Sequence, residues 1–411
     1  MKKIIVTVFF MLIFFVTGCA GDIPANLQNS SSGHTNSEQP QPLLLNRGQL
    51  TAFPAYDKYS DKAFQVDLRS YDLTALNLMT KYNDLIHADF DTKTVWPYAL
   101  PGKFDPKNIM EYGKDPGLNI KKLHARGITG QNVGIAIIGP PLLTGHIEYS
   151  GRLKVYQKIN QSGNEPASAT AGLMASVAAG KTTGVAPGAD LYYITEAHET
   201  VTEKGTERNM FWVAKAIDRV IEINKTLKKG HKIQVLAMGF GWSENDIGYR
   251  DVADAVNKAI ANDIFVISSS LYETYSHEIY FNGLGRSPLR DPDRADSYGP
   301  GISWAGSFFM FGRYTPTLEA LLVPMDSKTA ASPTGYKDYA FYSQNNFSVC
   351  AAFIAGLYAL ARQTDSDITP LHFWEQALKT GEIIDIENPN IDHLYKLRKI
   401  VNPVKLIESI K

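Results

Sequence analysis

From Asn119 onward the chain alternates apolar runs of strand length with longer helical patterns, and that alternation restricts it to a parallel sheet covered by helices on both faces. Strands are expected at 133–138, 191–194, 233–238, 264–269 and 302–307. Helices are expected at 167–179, 210–227 and 251–261, with a further one at 348–362. A parallel strand is buried on both faces, so it reads as a near-continuous apolar run, as Val133 to Ile138 does. Residues 119–411 are therefore expected to form one α/β domain, large but within the usual range.

The N-terminal third divides differently. Lys2 and Lys3 precede an apolar run from Ile4 to Val16, followed by Thr17, Gly18 and Cys19. The run falls short of the roughly 20 residues that a membrane span needs. It resembles a bacterial lipoprotein signal. In that family the leader, here 1–18, is removed before the cysteine, whose sulfur then carries a diacylglyceryl group. The resemblance implies lipid on Cys19 and a protein held on the outer face of the cell membrane. Residues 19–42 are rich in Ser, Asn, Gln and Pro with little apolar surface to bury, and are read as a tether.

Residues 43–118 are expected to pack on the main domain as an extension. Within them Asp67-Leu68, Asp72-Leu73 and Asn77-Leu78 recur every five residues. Three short copies are too few to stack a core of their own, so they read as amphipathic turns laid against the larger domain.

Bulk composition narrows the partners. With 41 basic and 42 acidic side chains the formal charge is −1, so no electrostatic footprint for nucleic acid or an anionic surface exists. Two cysteines, one of them in the leader motif, exclude a disulfide framework and leave Cys350 as a small core residue. Neither a cofactor nor a metal site is called for. Asp291, Asp293 and Asp296 fit no calcium-loop spacing, because Pro292 interrupts them and the glycine and distal glutamate are missing.

Three segments, in order and at sensible spacing, resemble the subtilase family of serine peptidases. Gly127-Ile128-Thr129-Gly130-Gln131-Asn132-Val133-Gly134-Ile135-Ala136-Ile137-Ile138 is similar to the lead-in and first core strand, with His146-Ile147-Glu148 following where that family has His-Pro-Asp. Thr170-Ala171-Gly172-Leu173-Met174-Ala175-Ser176 with Gly184-Val185-Ala186-Pro187 resembles the helix and loop behind the catalytic histidine. Asn346-Phe347-Ser348-Val349-Cys350-Ala351-Ala352-Phe353-Ile354-Ala355-Gly356 is similar to the turn and helix that carry the nucleophile.

The resemblance implies a subtilisin-like fold, and it places Ser348 at the serine. It also places Gly139 where the catalytic aspartate stands, and Pro166 where the histidine stands, or Glu165 if the loop slips by one. Tyr272 falls on the oxyanion-hole asparagine. A serine hydroxyl becomes a nucleophile only when a nearby base takes its proton. In a serine triad, loss of the histidine alone costs roughly a millionfold in turnover.

The expected function is therefore that of a pseudoprotease binding a peptide or partner protein in the former substrate cleft. Strands edging such a cleft accept an extended peptide through backbone pairing without chemistry. The alternative is an active serine endopeptidase in which Ser348 uses a recruited base, with Glu165, His146, His198 and His277 as candidates. Ser348 has a non-catalytic role open to it as well, as the oxygen that caps the helix behind it.

Overall fold

Runs of Ile, Val, Leu and Ala, which pack well on a pleated surface, pair into a parallel sheet of β1 (Gly134–Gly139), β2 (Leu153–Ile159), β3 (Asp190–Glu196), β4 (Ile233–Met238) and β5 (Phe265–Ile267). The spatial order is β2-β3-β1-β4-β5. This computed structural model describes residues 40–58, 64–161, 165–203, 205–270, 274–275, 279–312, 319–389 and 391–411. Cys19, Tyr272 and His277 lie outside them.

Side chains alternate across the sheet as the period of two requires. Ile135, Ile137, Tyr193, Val235 and Ala237 face one apolar cluster, and Ala136, Ile138, Tyr192, Leu236 and Met238 the other. Helices α1 (Ala169–Ala179) and α5 (Phe347–Thr364) cover the first face, and α2 (Phe211–Thr226) and α3 (Tyr249–Ala261) the second. The protein is thus an α/β structure with a parallel sheet and helices on both faces. Strand β2 is absent from the sequence reading because it is an edge strand, where Lys154, Gln157 and Lys158 break up the apolar run.

Helix α5 is apolar all round, and such a helix belongs in a core. It lies between the parallel sheet and a second one of strands Tyr298–Pro300, Phe281–Arg286, Leu321–Pro324, Leu394–Ile400 and Glu382–Glu387, in that order. By length and composition it could cross a membrane, yet 83% of it is buried inside the protein.

The strand expected at 302–307 is instead the start of helix α4 (Ile302–Phe311). A short apolar run does not distinguish strand from helix by itself. Here the spacing of four between Trp304 and Phe308, both buried, sets the inward face, and Gly312 ends the helix in the left-handed region at φ 69°.

The five-residue recurrence has a local cause. The side chains of Asp67, Asp72 and Asn77 each accept the backbone N–H two residues on, at 3.1, 2.8 and 3.2 Å. These are Asx turns, one per repeat. Leu68, Leu73 and Leu78 point inward, fully buried with Phe90, Phe104, Ile109 and Phe341. The layer is tied to the rest by a sheet in which Ala88–Asp91 pairs with Tyr339–Tyr342, itself paired with Lys328–Ala331.

Candidate functional site: the carboxyl rim of the parallel sheet

In open α/β sheets ligands bind beyond the carboxyl ends of the strands, and Gly139 and Ser348 both come to that rim. Gly139 is the last residue of β1. Ser348 is the second residue of α5, whose N-terminus abuts Gly239 just beyond β4.

The surroundings of Ser348 are those of a structural hydroxyl. It is 3% exposed, and its Oγ donates to the Gly239 carbonyl oxygen at 3.1 Å. Its backbone N–H donates to Asn346 Oδ1 at 3.0 Å, so the helix is capped by Asn346 and not by Ser348 as one reading of the sequence had it. Among the described residues neither an imidazole nor a carboxylate is hydrogen-bonded to this hydroxyl. A carbonyl oxygen accepts the proton but cannot remove it at neutral pH. The occupied amide is equally unable to serve a developing oxyanion without breaking its bond to Asn346.

Gly139 has no carboxylate, and the space one would enter is taken. A Cβ there would stand 3.1 Å from Tyr193 Oη, which donates to the Pro140 carbonyl at 2.7 Å. Burial holds the Tyr193 phenol well above its usual range, so it is a neutral donor. Pro166 and Glu165 are both exposed on the approach to α1. Helix α1 does reach the rim, through Met174, whose sulfur would stand 2.9 Å from a Cβ on Gly239 beside Ser348.

Both described candidate histidines are engaged elsewhere. His146 is fully buried: its Nε2 donates to the Asp338 carbonyl at 2.8 Å, and its Nδ1 accepts the Glu148 N–H at 3.2 Å. Burial lowers its pKa, which suits that neutral form. Glu148 is pushed up by burial, but hydrogen bonds from Thr182, Tyr339 and Thr183 outweigh this and hold its carboxyl below the usual range.

His198 sits at the rim, its Nδ1 2.7 Å from Glu196 Oε1 and its ring tilted against that of Phe240, with centroids 4.3 Å apart. A carboxylate that orients an imidazole is the arrangement a general base uses. Its face of the sheet is wrong, however. Phe240 packs on the cluster under α2 and α3, whereas a Cβ on Gly239 would point at Ser348 and Met174 on the other face.

The turn that delivers Ser348 rests on two buried carboxyls. Asp89 Oδ1 accepts the Ser343 N–H at 2.7 Å, and Asp326 Oδ1 accepts the Asn345 N–H at 2.8 Å. Burial pushes both up to about 7. These two, Tyr193 and the Gly239 carbonyl are the residues of the rim that sequence reasoning missed. Only Gly239, a glycine directly after a strand, carries a signal in the sequence; the contacts of Asp326, Tyr193 and Asp89 reach across 19, 53 and 254 residues.

Asp291, Asp293 and Asp296 make local contacts: Asp291 accepts the Asp293 N–H, Asp293 accepts the Asn119 N–H, and Asp296 pairs with Arg294. Two surface cavities, lined by Asn46, Ser70, Asp72 and Lys93 and by Tyr56, Asp84 and His87, belong to the N-terminal layer.

No family model matches the sequence, and no curated protein matches it. Among solved structures, the prenylagaramide maturation protease PagA is similar at 12% identity and a TM-score of 0.45. The likeness covers 71% of this chain and 98% of that one.

Proposed function

We propose that this chain is a membrane-anchored extracellular protein on a subtilisin-like scaffold that has given up peptide hydrolysis and holds a peptide or a partner protein. The observation that carries the reading is the hydrogen bond from buried Ser348 Oγ to the Gly239 carbonyl, with no base on that hydroxyl among the described residues. Tyr193 filling the place of a carboxylate beside Gly139 supports it, since nothing there would orient an imidazole or stabilise its charged form. Anchoring rests on the leader and Cys19. Extended peptides would be held by backbone pairing along the strand edges, a mode that needs no nucleophile.

The test is a peptide array probed with the full chain, each bound peptide being recovered and its termini sequenced. Peptides retained intact agree with the proposal. Peptides cut by the wild type and left whole by Ser348→Ala contradict it.

A further inference from the structure

Helix α4 is a surface helix without a charged side chain. Its inward face is Trp304 and Phe308, while Ile302, Ser303, Gly306, Ser307, Met310 and Phe311 are exposed. A helix bordering water ordinarily carries charged residues on its outer face. Met310 and Phe311 leave 69% and 64% of their surface open, and the neighbouring turn adds Ile391 and Leu394 at 58% each. The two segments touch: Asn388 Nδ2 donates to the Phe309 carbonyl at 2.8 Å, and the Tyr395 ring lies 5.6 Å from that of Phe308. Contiguous exposed apolar surface of this kind marks an interaction site.

We propose that the rim formed by Met310, Phe311, Ile391 and Leu394 dips into the outer leaflet of the membrane to which Cys19 tethers the chain. The inference rests on the anchoring reading above. Protruding apolar side chains suit a fluid bilayer, which needs no preformed complement. The tether supplies proximity. From Cys19 to the first described residue, Pro40, the chain takes 21 residue steps and at full extension reaches no more than about 75 Å. Confinement at that distance raises the effective concentration of lipid surface, so a shallow insertion of a few side chains suffices. All four side chains are uncharged, so the insertion is apolar, uncharged phosphatidylcholine should serve and salt should matter little.

The experiment uses the full-length lipidated protein in phosphatidylcholine vesicles, with Met310→Cys carrying an environment-sensitive nitrobenzoxadiazole dye. Cys350 is fully buried and Cys19 is blocked by its lipid, so the dye reports on position 310. The proposal predicts a blue-shifted emission that is quenched by nitroxide-labelled acyl chains, and loss of both in the same protein with Phe311→Ser and Ile391→Ser. Protein that floats with the vesicles while its dye emits as in water overturns the insertion and leaves the anchor standing. Protein that fails to float overturns the anchor and the insertion with it. A blue shift that appears without vesicles and grows with protein concentration overturns the proposal in favour of a second copy of the chain.

Discussion

The Asx-turn layer and the Ser348 rim satisfy their polar groups in opposite ways. In the layer each Asp or Asn answers a donor two residues away, and the neighbouring leucine does the packing. At the rim Ser348 is answered by Gly239, 109 residues distant, and Ser343 by Asp89, 254 residues distant. A local motif keeps its meaning wherever it occurs. A constellation assembled over long range has its meaning only when every member is present, and Gly139 and Pro166 bring neither a carboxylate nor an imidazole.

Placing a carboxylate at position 139 tests that contrast most harshly. Gly139→Asp would bury a carboxylate against Tyr193 Oη and without a cation, and a buried unpaired charge costs roughly 3–5 kcal/mol. A large loss of stability by chemical denaturation is expected, and Gly139→Asn, which brings similar bulk without the charge, should lose much less. Unchanged stability would mean that the site accepts the charge.

Leu73→Ala should cost roughly 2–5 kcal/mol, as for a fully buried leucine whose neighbours only partly close the cavity. If the layer were loosely attached, the same change would leave the main unfolding transition untouched.

A pH series separates the two regions next. Asp326 faces the Asn345 N–H, Asp89, Arg286, Lys328 and the Cys350 thiol, and burial pushes its carboxyl to about 7. The folded state therefore holds a proton that the unfolded chain releases near pH 4. Stability from this group is greatest at low pH, falls as pH rises from about 4 to about 7, and is flat above. Its slope cannot exceed about 1.4 kcal/mol per pH unit. Asp326→Asn removes that slope, so the melting temperature of the wild type should drop relative to the variant between pH 5 and pH 7. A constant difference over that window would show that Asp326 is ionised when folded.

Gly239→Ala should have the smallest effect, roughly 1–3 kcal/mol for an overpacked site. Its Cβ would stand 2.6 Å from Ser348 Oγ, 2.8 Å from Ser348 Cβ and 2.9 Å from Met174 Sδ, so the start of α5 must move as well as the hydroxyl. A neutral result would show that the start of α5 yields at little cost.

Much of the architecture was legible in the sequence because it follows from local pattern. The continuous run in β1, the buried all-apolar α5 and the leucines after each Asx turn all announced themselves. Leu153–Ile159 did not, since an edge strand carries lysines, nor did the helix at 302–311, since a short apolar run is ambiguous. At the rim, motif residues gave positions but not surroundings. Nothing near Gly139 in the chain shows that Tyr193 takes the space beside it, and nothing near Ser348 shows that its proton goes to a carbonyl.

The account stands or falls on whether Ser348 can act as a nucleophile, and reaction with a fluorophosphonate asks this directly. The full chain, incubated with the reagent from mildly acidic to alkaline pH and analysed by intact mass and peptide mapping, should show no adduct on Ser348 at any pH. An adduct mapped to Ser348 and lost in Ser348→Ala would contradict it, and would mean that a base reaches that hydroxyl after all.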